Sequence, residues 1–573
     1  MKKGTLFAYL LGAISGLLVL GLSLFLFCPA IHVKNPGLWA LVAVTLLVFA
    51  FVTRANLGHR DLIRVKISRK GGSSLKKGRV RPQPEHRYSV ALYALPVVVL
   101  VVFGLAALGG SEVFNADAYA RILTVTESDF ATDLAESVGT DSIALMDTAS
   151  APMLGDREIG SLSDVVSQYD VSYDYTQIDY NGKPIKVSAL GYAGFFKWIN
   201  NSAAGAGGYV TVDPVSMSAS FHRCEGMRYI PSAYLFQDAR RYLWMQYPTL
   251  MMENLHFEID EEGKPYYVAS VLDKAVGLFG GKTVTGCVVL DPVTGDTVHY
   301  DLADVPRWVD VVFDGYLICD QYNWYGLYQN GFFNSLFAKK DCKQVTTYYQ
   351  SEIAENEDSD DATPSADFGY IAKDGDTWIY TGITSVNGDS SNIGFLLANE
   401  RTGESRYYRI AGADEKSAMA AAEGEVQEKR YQASFPSLIN IDGYPTYIMV
   451  LKDSGGLVKL YATVNVEQYN LVTTAPTQAE CIAKYKALLG IEGEENPADD
   501  TETVTLTIAR IQYVTIEGNT YIYLADAAGN LYKAKAADHE NMLLLSEGDT
   551  VELTCSGRDI LTCEKIVAEA PAA

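Results

Sequence analysis

The distribution of apolar residues divides the chain near residue 110. Three long apolar runs precede that point, at Leu6–Phe27, Gly37–Thr53 and Val90–Leu108, and the first has 22 residues without a charge, enough to cross a bilayer as a helix. Beyond it, short runs rich in β-branched and aromatic residues alternate with turn residues. The pattern predicts a membrane-anchored α+β protein, with three transmembrane helices, tandem α+β hairpin-repeat modules and a carboxyl-terminal five-stranded OB-like β-barrel.

The exterior part is organised around the segment Phe257–Tyr300. It contains two pairs of strand-like runs, and each pair flanks a turn, Glu262-Gly263 in the first and Thr294-Gly295 in the second. Such runs around a glycine-containing turn predict two successive β-hairpins. Upstream, Ile178–Val187 matches Ile259–Val268 position for position, including the glycine and the proline that follows it. We therefore predict that the two segments share a fold.

The same pattern recurs further along the chain. Four glycines occupy the equivalent turn position, Gly182, Gly263, Gly375 and Gly443, and we name the segments around them repeats 1 to 4. Their unequal separation differs from the tight period of a solenoid and favours duplicated α+β modules with variable insertions. For repeats 3 and 4 the alternative is ordinary hairpins that use similar turn residues.

Helical patterns lie between the hairpins, at Ser232–Gln246 and at Ala413–Gln427. A helix followed by hairpins that end in Asp-Pro-x-Thr-Gly, as in Val288–Tyr300, resembles the PepSY-type modules of bacterial envelope proteins. The resemblance implies a small α+β unit with a binding or inhibitory role in the envelope, and it brings no catalytic residue with it. Repeat 1 differs from this motif, since Ser216-Met217 stands where repeat 2 has Thr294-Gly295.

The loop between the second and third apolar runs, residues 54–87, is strongly basic. By the positive-inside rule this loop and the amino terminus are cytoplasmic, and residues 110–573 lie outside. Contact with anionic lipid headgroups or with nucleic acid is the alternative use of these residues, and the setting of topology is the favoured one. Among partners we expect lipid headgroups and no nucleic acid. A cleaved signal peptide is the alternative for the first run, although its length and the two further runs favour a span. The loop holds Arg54, Arg60, Arg64, Lys66, Arg69, Lys70, Lys76, Lys77, Arg79, Arg81 and Arg87 against Asp61 and Glu85.

Charge separates the two parts of the chain. Residues 1–89 carry 14 Lys and Arg against 2 Asp and Glu, a net +12, while the whole chain carries −24, so residues 90–573 carry −36. An exposed part this acidic argues against nucleic acid and against anionic wall polymers as ligands, unless cations bridge the contact. We expect a multi-pass protein of the plasma membrane that contacts lipid through its spans and binds a protein partner in the envelope.

The exterior residues, 110–573, are too many for one hydrophobic core and predict several domains. Repeats 1 and 2 form one predicted α+β module, repeats 3 and 4 a second, and the barrel follows an acidic linker. The predicted boundaries are 1–109 for the membrane region, 110–340 for the first module, 341–368 for an acidic linker, 369–489 for the second module, 490–503 for a second linker and 504–567 for the OB-like domain.

The carboxyl-terminal pattern resembles an OB-fold, with three strands, a helix at about Asp538–Leu545 and two more strands. Residues 501–573 have a net charge of −6, which counts against the binding of single-stranded nucleic acid that this fold often performs. Cys555 and Cys563 lie on consecutive predicted strands, where they either form a disulfide or stay free. The predicted strands are Val504–Ile516, Thr520–Asp526, Asn530–Lys535, Asp549–Cys555 and Asp559–Ile566.

The exterior part has no H-E-x-x-H, C-x-x-C, G-x-S-x-G or Walker A motif, and we predict no catalytic residue, cofactor or metal. The candidate binding surface is an aromatic segment, for which core packing is the alternative. Two functions stay open: a non-enzymatic envelope protein that binds or scaffolds another exported or membrane protein, and an envelope hydrolase on cell-wall or peptide substrates. The candidate surface comprises Tyr322, Trp324, Tyr325, Tyr328, Phe332 and Phe333.

Overall fold

The chain divides into two compact units, Met1–Ile482 and Ala483–Ala573. The first unit contains the apolar helices and the four repeats, and the second contains the carboxyl-terminal sheet. The computed structural model describes residues 3–68, 91–134, 145, 150–160, 162, 165, 167–172, 174–348, 365–366, 368–387, 391–491, 501–516, 519–527, 529–536, 539–556 and 558–566.

Four helices begin the first unit: α1 (Lys3–Phe27), α2 (Pro36–Ser68), α3 (Ala94–Gly109) and α4 (Glu112–Ala120). By length and composition α1 and α2 can each span a membrane, and α3 with α4 makes a third span only if the two helices, bent by 47°, count as one. α4 packs Tyr119 against Val276 and Tyr328 from later in the chain.

The first part of the predicted basic loop is helical. α2 continues past the apolar run to Ser68, so residues 54–68 are helical. Arginine, leucine and lysine are good helix formers, and extending a helix that the apolar run has already nucleated costs little. Residues 69–87 of the predicted loop lie outside the described residues.

The elements from there to the carboxyl end of α11 are, in chain order, β1 (Val125–Ser128), α5 (Phe130–Asp133), α6 (Ser150–Gly160), β2 (Tyr169–Val171), β3 (Thr176–Tyr180), β4 (Lys183–Tyr192), α7 (Phe195–Asn201), β5 (Ala206–Asp213), β6 (Ser218–Met227), α8 (Ala239–Gln246), β7 (Met251–Ile259), β8 (Pro265–Val276), β9 (Gly280–Leu290), β10 (Thr297–Asp301), α9 (Gly315–Tyr328), β11 (Lys343–Val345), β12 (Thr347–Tyr348), β13 (Ser365–Ala366), β14 (Gly369–Lys373), β15 (Asp376–Ser385), β16 (Ser391–Asn399), β17 (Ser405–Tyr408), β18 (Gly412–Ala413), α10 (Glu415–Gly424), β19 (Gln432–Ala433), β20 (Ser437–Ile441), β21 (Tyr444–Lys452), β22 (Val458–Asn465), β23 (Val472–Ala475) and α11 (Gln478–Leu488).

Each repeat folds as a four-stranded antiparallel meander, in which strands that follow each other in the chain are neighbours in the sheet. The meanders are β3 to β6, β7 to β10, β14 to β17 and β20 to β23. Short strands extend three of them: β2 joins repeat 1, β19 joins repeat 4, and β11 and β18 join repeat 3. β1 lies parallel to β17, which ties the segment after α4 to repeat 3. All four predicted hairpins are therefore present.

The turn glycines have the backbone conformation that the repeat pattern predicts. Gly182 and Gly263 have φ of 80° and 81°, in the left-handed region where a side chain is disfavoured. Pro265 opens β8, and Pro184 is the second residue of β4, ahead of the point where β5 begins to pair with that strand. Both prolines thus avoid the ladder positions at which a backbone N–H is needed.

A second turn, between the third and fourth strands, is also repeated. In repeat 2 the Asp291 carboxylate accepts the N–H groups of Val293 and Thr294 at 2.8 and 3.0 Å. Asp213 in repeat 1 and Asn399 in repeat 3 accept the equivalent pair of N–H groups. This side chain replaces a backbone turn partner, which is why an Asp or Asn recurs at the position.

Successive sheets pack face to face, and a strand between two cores is apolar on both faces. In β9, Val288 and Leu290 lie in the core shared with repeat 1, whereas Cys287 and Val289 lie in the core shared with α9 and repeat 3. A third core joins repeats 3 and 4 around α10. The period of two along a strand explains the alternation, and burial on both sides explains the uninterrupted apolar run.

The predicted helices are present but shorter. Ser232–Gln246 contains a 3-10 turn, Leu235–Gln237, followed by α8, because the Asp238 carboxylate caps the helix by accepting the Arg241 N–H at 3.0 Å. Ala413–Gln427 reduces to α10, which the Asp414 side chain caps in the same way. In both cases a capping residue inside the apolar pattern sets the start.

The second unit contains six strands where five were predicted. The predicted first strand divides at Ile508 and Ala509, whose N–H groups donate to Asp549 and Ala525, so the chain passes from one neighbouring strand to another. A 3-10 helix, Glu540–Leu544, stands where the helix was predicted, and Cys555 and Cys563 are buried without forming a disulfide. The strands are β24 (Thr501–Thr507), β25 (Arg510–Ile516), β26 (Asn519–Ala525), β27 (Leu531–Lys535), β28 (Thr550–Ser556) and β29 (Asp559–Lys565), in the sheet order β24-β28-β29-β27-β26-β25.

Candidate binding site at the seam between the apolar helices and repeat 2

The tip of the hairpin between β8 and β9 reaches the apolar helices. The centroid of its Phe279 ring lies 4.8 Å from that of Phe103 in α3 and 6.0 Å from that of Trp39 in α2. The Trp39 indole N–H donates to the Val33 carbonyl at 2.8 Å, which holds the ring in place. Aromatic pairs at such separations attract beyond the area they bury. Repeat 2 is therefore packed directly onto two of the apolar helices.

The loop between α1 and α2 is held by an ion pair. The Lys34 ammonium donates to the Asp273 carboxylate of β8 at 2.7 Å and to the Lys274 carbonyl at 3.0 Å. Burial alone would raise the pKa of Asp273, but the hydrogen bond and charge of Lys34 hold it below its usual value. Lys34 and Asp273 are 239 residues apart in the chain, so the contact fixes the loop against the sheet.

α8 binds the carboxyl end of α1. The Arg241 side chain donates to the Phe25 carbonyl at 2.8 Å, and the Trp244 indole donates to the Pro29 carbonyl at 2.8 Å. The last carbonyls of a helix lack intrahelical donors, so the Arg241 contact supplies a donor to the last turn of α1. We call the junction of α1, α2 and their loop with α8 and repeat 2 the seam.

A cavity of 520 Å³ lies in the seam. Residues from the ends of both apolar helices and from α8, β7 and β8 line it, so neither the helices nor the repeats form it alone. Its volume falls within the usual range for small-molecule sites. A smaller cavity of 90 Å³, between repeats 1 and 2, shares Arg240 and Leu255 with it. The main apolar residues of the lining are Phe27, Leu243, Trp244, Met251, Met252 and Leu255.

The charged groups of the cavity have unequal partners. Glu253 pairs with Lys282 at 2.7 Å. Within the part of the chain that is described, Lys274 and Arg240 form no ion pair. Burial lowers the pKa of Lys274, and the nearby Lys282 lowers it further. Glu253 and Asp273 partly offset this by favouring the charged form of Lys274. Together with their ion-pair partners, the four cations Lys34, Arg240, Lys274 and Lys282 exceed these two carboxylates by two.

Exposed aromatic side chains continue from the seam. The Phe236 ring, 60% exposed, lies 5.6 Å from Phe25 in the last turn of α1. Phe195 and Phe196 at the start of α7 are also exposed, and Phe195 contacts Tyr234 at 5.0 Å. Side chains of this kind beside a membrane span suit the boundary between lipid and water.

The predicted aromatic surface is divided between core and solvent. Tyr322 is 1% exposed and lies in the core between repeats 2 and 3, so it is not part of a surface. Tyr325, half-buried, packs beside it with the ring centroids 5.7 Å apart. The apolar positions of α9 that face the sheets account for both, which is the core-packing alternative.

The rest of that segment lies against α4 and then reaches solvent. Trp324 and Tyr328 pack edge-on to Tyr119 of α4, at 5.2 and 6.4 Å. Phe332 is half-buried beside Tyr328, and Phe333 is largely exposed. The structure therefore leaves only the last residues of the predicted surface available for contact.

A second polar cluster is sealed inside the repeats. Glu258 of β7 is fully buried and accepts three hydrogen bonds, from the backbone N–H groups of Asp310 and Val311 at 2.9 and 3.1 Å and from the His256 ring at 2.8 Å. Burial alone would lower the pKa of His256, but its hydrogen bond to Glu258 holds it above its usual value. Glu258 thereby fixes the segment that leads from repeat 2 into α9.

Two further buried carboxyls adjoin this cluster. Asp310 accepts the Asp179 N–H of repeat 1 at 2.8 Å, and burial followed by the charge of Glu258 raises its pKa well above the usual value. Burial and then the charges of Asp314 and Asp310 also raise the pKa of Glu400 in repeat 3. The Glu400 Oε2 atom has no hydrogen-bond partner among the described residues. Residues of repeats 1, 2 and 3 thus meet around two buried carboxyl groups, Asp310 and Glu400, whose raised pKa values favour the protonated state.

These groups do not assemble a recognisable catalytic or metal centre. Over the described ranges, no three His, Cys, Asp or Glu side chains are placed to hold a metal ion. The acidic cluster is buried, whereas the seam cavity opens between elements and combines apolar walls with cations. The seam is accordingly the stronger candidate for ligand binding.

The sequence does not predict the seam, because the residues that form it come from distant parts of the chain. One signal was present: Lys34 is the single charged residue in the loop between the first two apolar runs. A second was the Arg240-Arg241 pair on a helix that also carries Trp244, since arginine and tryptophan together are typical of the membrane–water boundary.

Comparison with known proteins assigns no family. No family description matches the chain, and no curated protein matches it. Among solved structures, a GH43_1 enzyme from Xanthomonas citri in complex with xylotriose is 11% identical over 35% of this chain and 55% of its own, with a TM-score of 0.10. A B. megaterium levansucrase variant is 9% identical over 80% of this chain and 98% of its own, with a TM-score of 0.17. Similarity this low supports neither a fold nor an activity.

Proposed function

We propose that this chain is a non-enzymatic, membrane-anchored protein of the cell envelope that binds another envelope component in the seam cavity. The observation that carries the proposal is the joint construction of that cavity by the ends of α1 and α2 and by repeat 2. A site built by both parts places its ligand at the end of the apolar helices. The exported or membrane protein expected from the sequence remains one class of partner.

The proposed topology has three spans, a cytoplasmic amino terminus and residues 110–573 outside the cell. The support is the basic charge of residues 54–87, the two helices that are long and apolar enough to span, and the bent pair of α3 and α4. Cysteine-accessibility labelling in intact cells tests it, with probes at Ser74 and Asp358. We expect labelling at Asp358 only, and the reverse pattern would invert the topology.

For the second unit we propose an OB-like barrel. The support is its strand order, in which the two halves of the first strand, β24 and β25, lie at opposite ends of the path and β27 runs parallel to β29. The PepSY resemblance of the repeats also remains a proposal, for which the recurrent Asx turn of Asp291 is the best support.

Site-specific photocrosslinking in living cells tests the binding function. A photoreactive residue replaces Leu255, which lines the cavity, and as a control replaces Leu457, an exposed residue of repeat 4. We expect a defined product at position 255, identified by mass spectrometry, that is absent at position 457. Identical products at the two positions, or no product at position 255, would refute the proposed site.

The alternative function, an envelope hydrolase, has one observation in its favour: the buried carboxyls Asp310 and Glu400 both have raised pKa values, as catalytic acids often do. Activity profiling of the full chain with hydrolase probes, alongside Asp310→Asn, tests it. Turnover that this variant abolishes while the fold persists would favour the enzyme.

A further inference from the structure

We propose that the seam cavity binds the anionic headgroup of a membrane lipid, with the lipid chains lying on the apolar surface beside α1. The inference deepens the proposed binding function and rests on it, because it names the ligand of the same cavity. Position, charge and the neighbouring surface each support it.

The position of the cavity matches the level of lipid headgroups. Phe27 ends α1, Pro36 begins α2, and both line the cavity. The ends of spanning helices lie where hydrocarbon gives way to headgroups. Trp244, whose indole N–H is bound to the Pro29 carbonyl, lines the same cavity and is of the residue type enriched at this level.

The charge of the cavity selects an anion. Lys282 pairs with Glu253 and Lys34 pairs with Asp273, so Lys274 and Arg240 remain in excess, although both carboxylates also favour the charged form of Lys274. A phosphate group accepts several hydrogen bonds and suits both side chains. Burial disfavours the charged form of Lys274, so a bound anion stabilises that form and restores a higher pKa.

The surface next to the cavity accounts for the rest of the ligand. The cavity volume of 520 Å³ suits a headgroup and the first carbons of its chains. Beyond it, Leu235 and Phe236 are exposed, and Phe236 contacts Phe25 of α1. The 3-10 turn that carries them leads directly into α8, so headgroup site and apolar surface are continuous. A soluble anion would make no use of that surface.

The test uses the purified full chain in lipid nanodiscs. One set contains phosphatidylcholine alone, a second contains phosphatidylcholine with one fifth phosphatidylglycerol, and a third adds soluble glycerol 3-phosphate to phosphatidylcholine. Native mass spectrometry counts retained lipid, and Trp244 fluorescence, assigned with Trp244→Phe, reports occupancy of the cavity. We expect retained phosphatidylglycerol and a fluorescence change in the second set only.

The variants Lys274→Met and Arg240→Gln remove one cation each while keeping most of the side-chain bulk. Each is expected to weaken phosphatidylglycerol binding about tenfold, the effect of one charge-assisted hydrogen bond. Lys416→Met, at an exposed lysine of α10 outside the cavity, is the control and should bind as the unsubstituted chain does. Unfolding temperatures in phosphatidylcholine discs establish that each variant is folded.

Each result decides the proposal. Undiminished phosphatidylglycerol binding by a folded variant that carries both Lys274→Met and Arg240→Gln would overturn it. Equal responses to phosphatidylglycerol and to glycerol 3-phosphate would also overturn it, because they would identify a site for free anions. No response to any anion would also overturn it. In those cases a photocrosslinked product at position 255 would support the binding function with a different ligand. The absence of that product would refute both the binding function and the lipid-headgroup proposal.

Discussion

Repeats 1 and 2 share a ten-residue pattern, yet their hairpins turn differently. In repeat 1, Asn181 and Gly182 form a two-residue turn and both have positive φ. In repeat 2 the turn has three residues, and Gly263 is the one with positive φ. Asparagine adopts the left-handed conformation at little cost, whereas glutamate at the equivalent position does not. One turn residue therefore decides the hairpin type.

The change of turn alters the pairing without altering burial. Ile178 pairs with Ile185, but Ile259 pairs with Pro265, one residue earlier than the sequence match implies. Equivalent positions keep the same burial on both strands. The apolar pattern thus sets which residues face the core, and the turn absorbs the one-residue difference, as three-residue hairpin loops do.

The largest expected difference in stability between the two repeats lies at a buried polar position in the first strand of each, Glu258 in β7 and Gln177 in β3. Glu258→Ala should destabilise the fold by ~3–5 kcal/mol, because it leaves the Asp310 and Val311 N–H groups and His256 without their buried partner. At the matched position of repeat 1, Gln177→Ala should cost only about 1 kcal/mol, the typical value for a point substitution, since the Gln177 Oε1 atom already lacks a partner among the described residues. Urea unfolding of the solubilised full chain measures both, and equal losses would contradict the contrast.

The turn glycines provide the next contrast. Gly263→Val and Gly182→Val should each cost ~1–3 kcal/mol for a strained backbone, with Gly263 at the upper end. A Cβ atom at Gly263 would lie 3.3 Å from the Tyr209 hydroxyl, which donates to the Gly263 carbonyl, whereas Gly182 has open space around it. The same unfolding series measures them. A greater loss at Gly182 would show that the turn types are not the controlling difference.

Asp310 joins repeat 1 to the acidic cluster and should make stability depend on pH. Its folded pKa is raised, so its contribution is fully present below the ordinary pKa of aspartate and is lost as the pH rises toward the folded value. Asp310→Asn keeps an acceptor for the Asp179 N–H and removes this loss, which is about 1.4 kcal/mol for each pH unit between the ordinary and the folded pKa. Unfolding at pH 4 and pH 8 should show the variant gaining stability relative to the original chain at the higher pH, with exposed Asp301→Asn as control. If the stability of Asp310→Asn and that of the original chain change in parallel with pH, Asp310 is not the cause of the pH dependence.

The smallest expected effect concerns the second turn. Met217 in repeat 1 has φ of 55°, where repeat 2 has Gly295 with φ of 83°. Met217→Gly should stabilise the fold by about 1 kcal/mol by relieving the left-handed strain, and the converse Gly295→Ala should destabilise it. Thermal unfolding of the two variants checks the signs, and a loss at Met217→Gly would show that its side-chain packing outweighs the strain.

The hairpins were predictable because their information is local. Gly263 and Pro265 stand within a few residues of each other, and the apolar run of β9 indicates that strand by itself. The seam was not predictable, because Lys34 and Asp273 form an ion pair although they are 239 residues apart in the chain. Likewise, the sequence does not show that Phe279 contacts Phe103 of α3. The acidic cluster was missed for the same reason: Glu258 looks like a solvated strand residue until Asp310 is placed next to it.

Strand β8 connects the two polar regions. Tyr266, which pairs with Glu258, lies near one end, and Lys274 lies toward the other. Eight residues of strand separate them by roughly 26 Å, about three times the ~8 Å over which salt screens a charge at physiological strength. At an effective dielectric constant of about 20, a unit charge about 26 Å away changes the energy of a buried acid by only about 0.6 kcal/mol, which is less than half a pKa unit. A larger effect of a lipid bound at the seam on the buried acids would therefore require a displacement of β8.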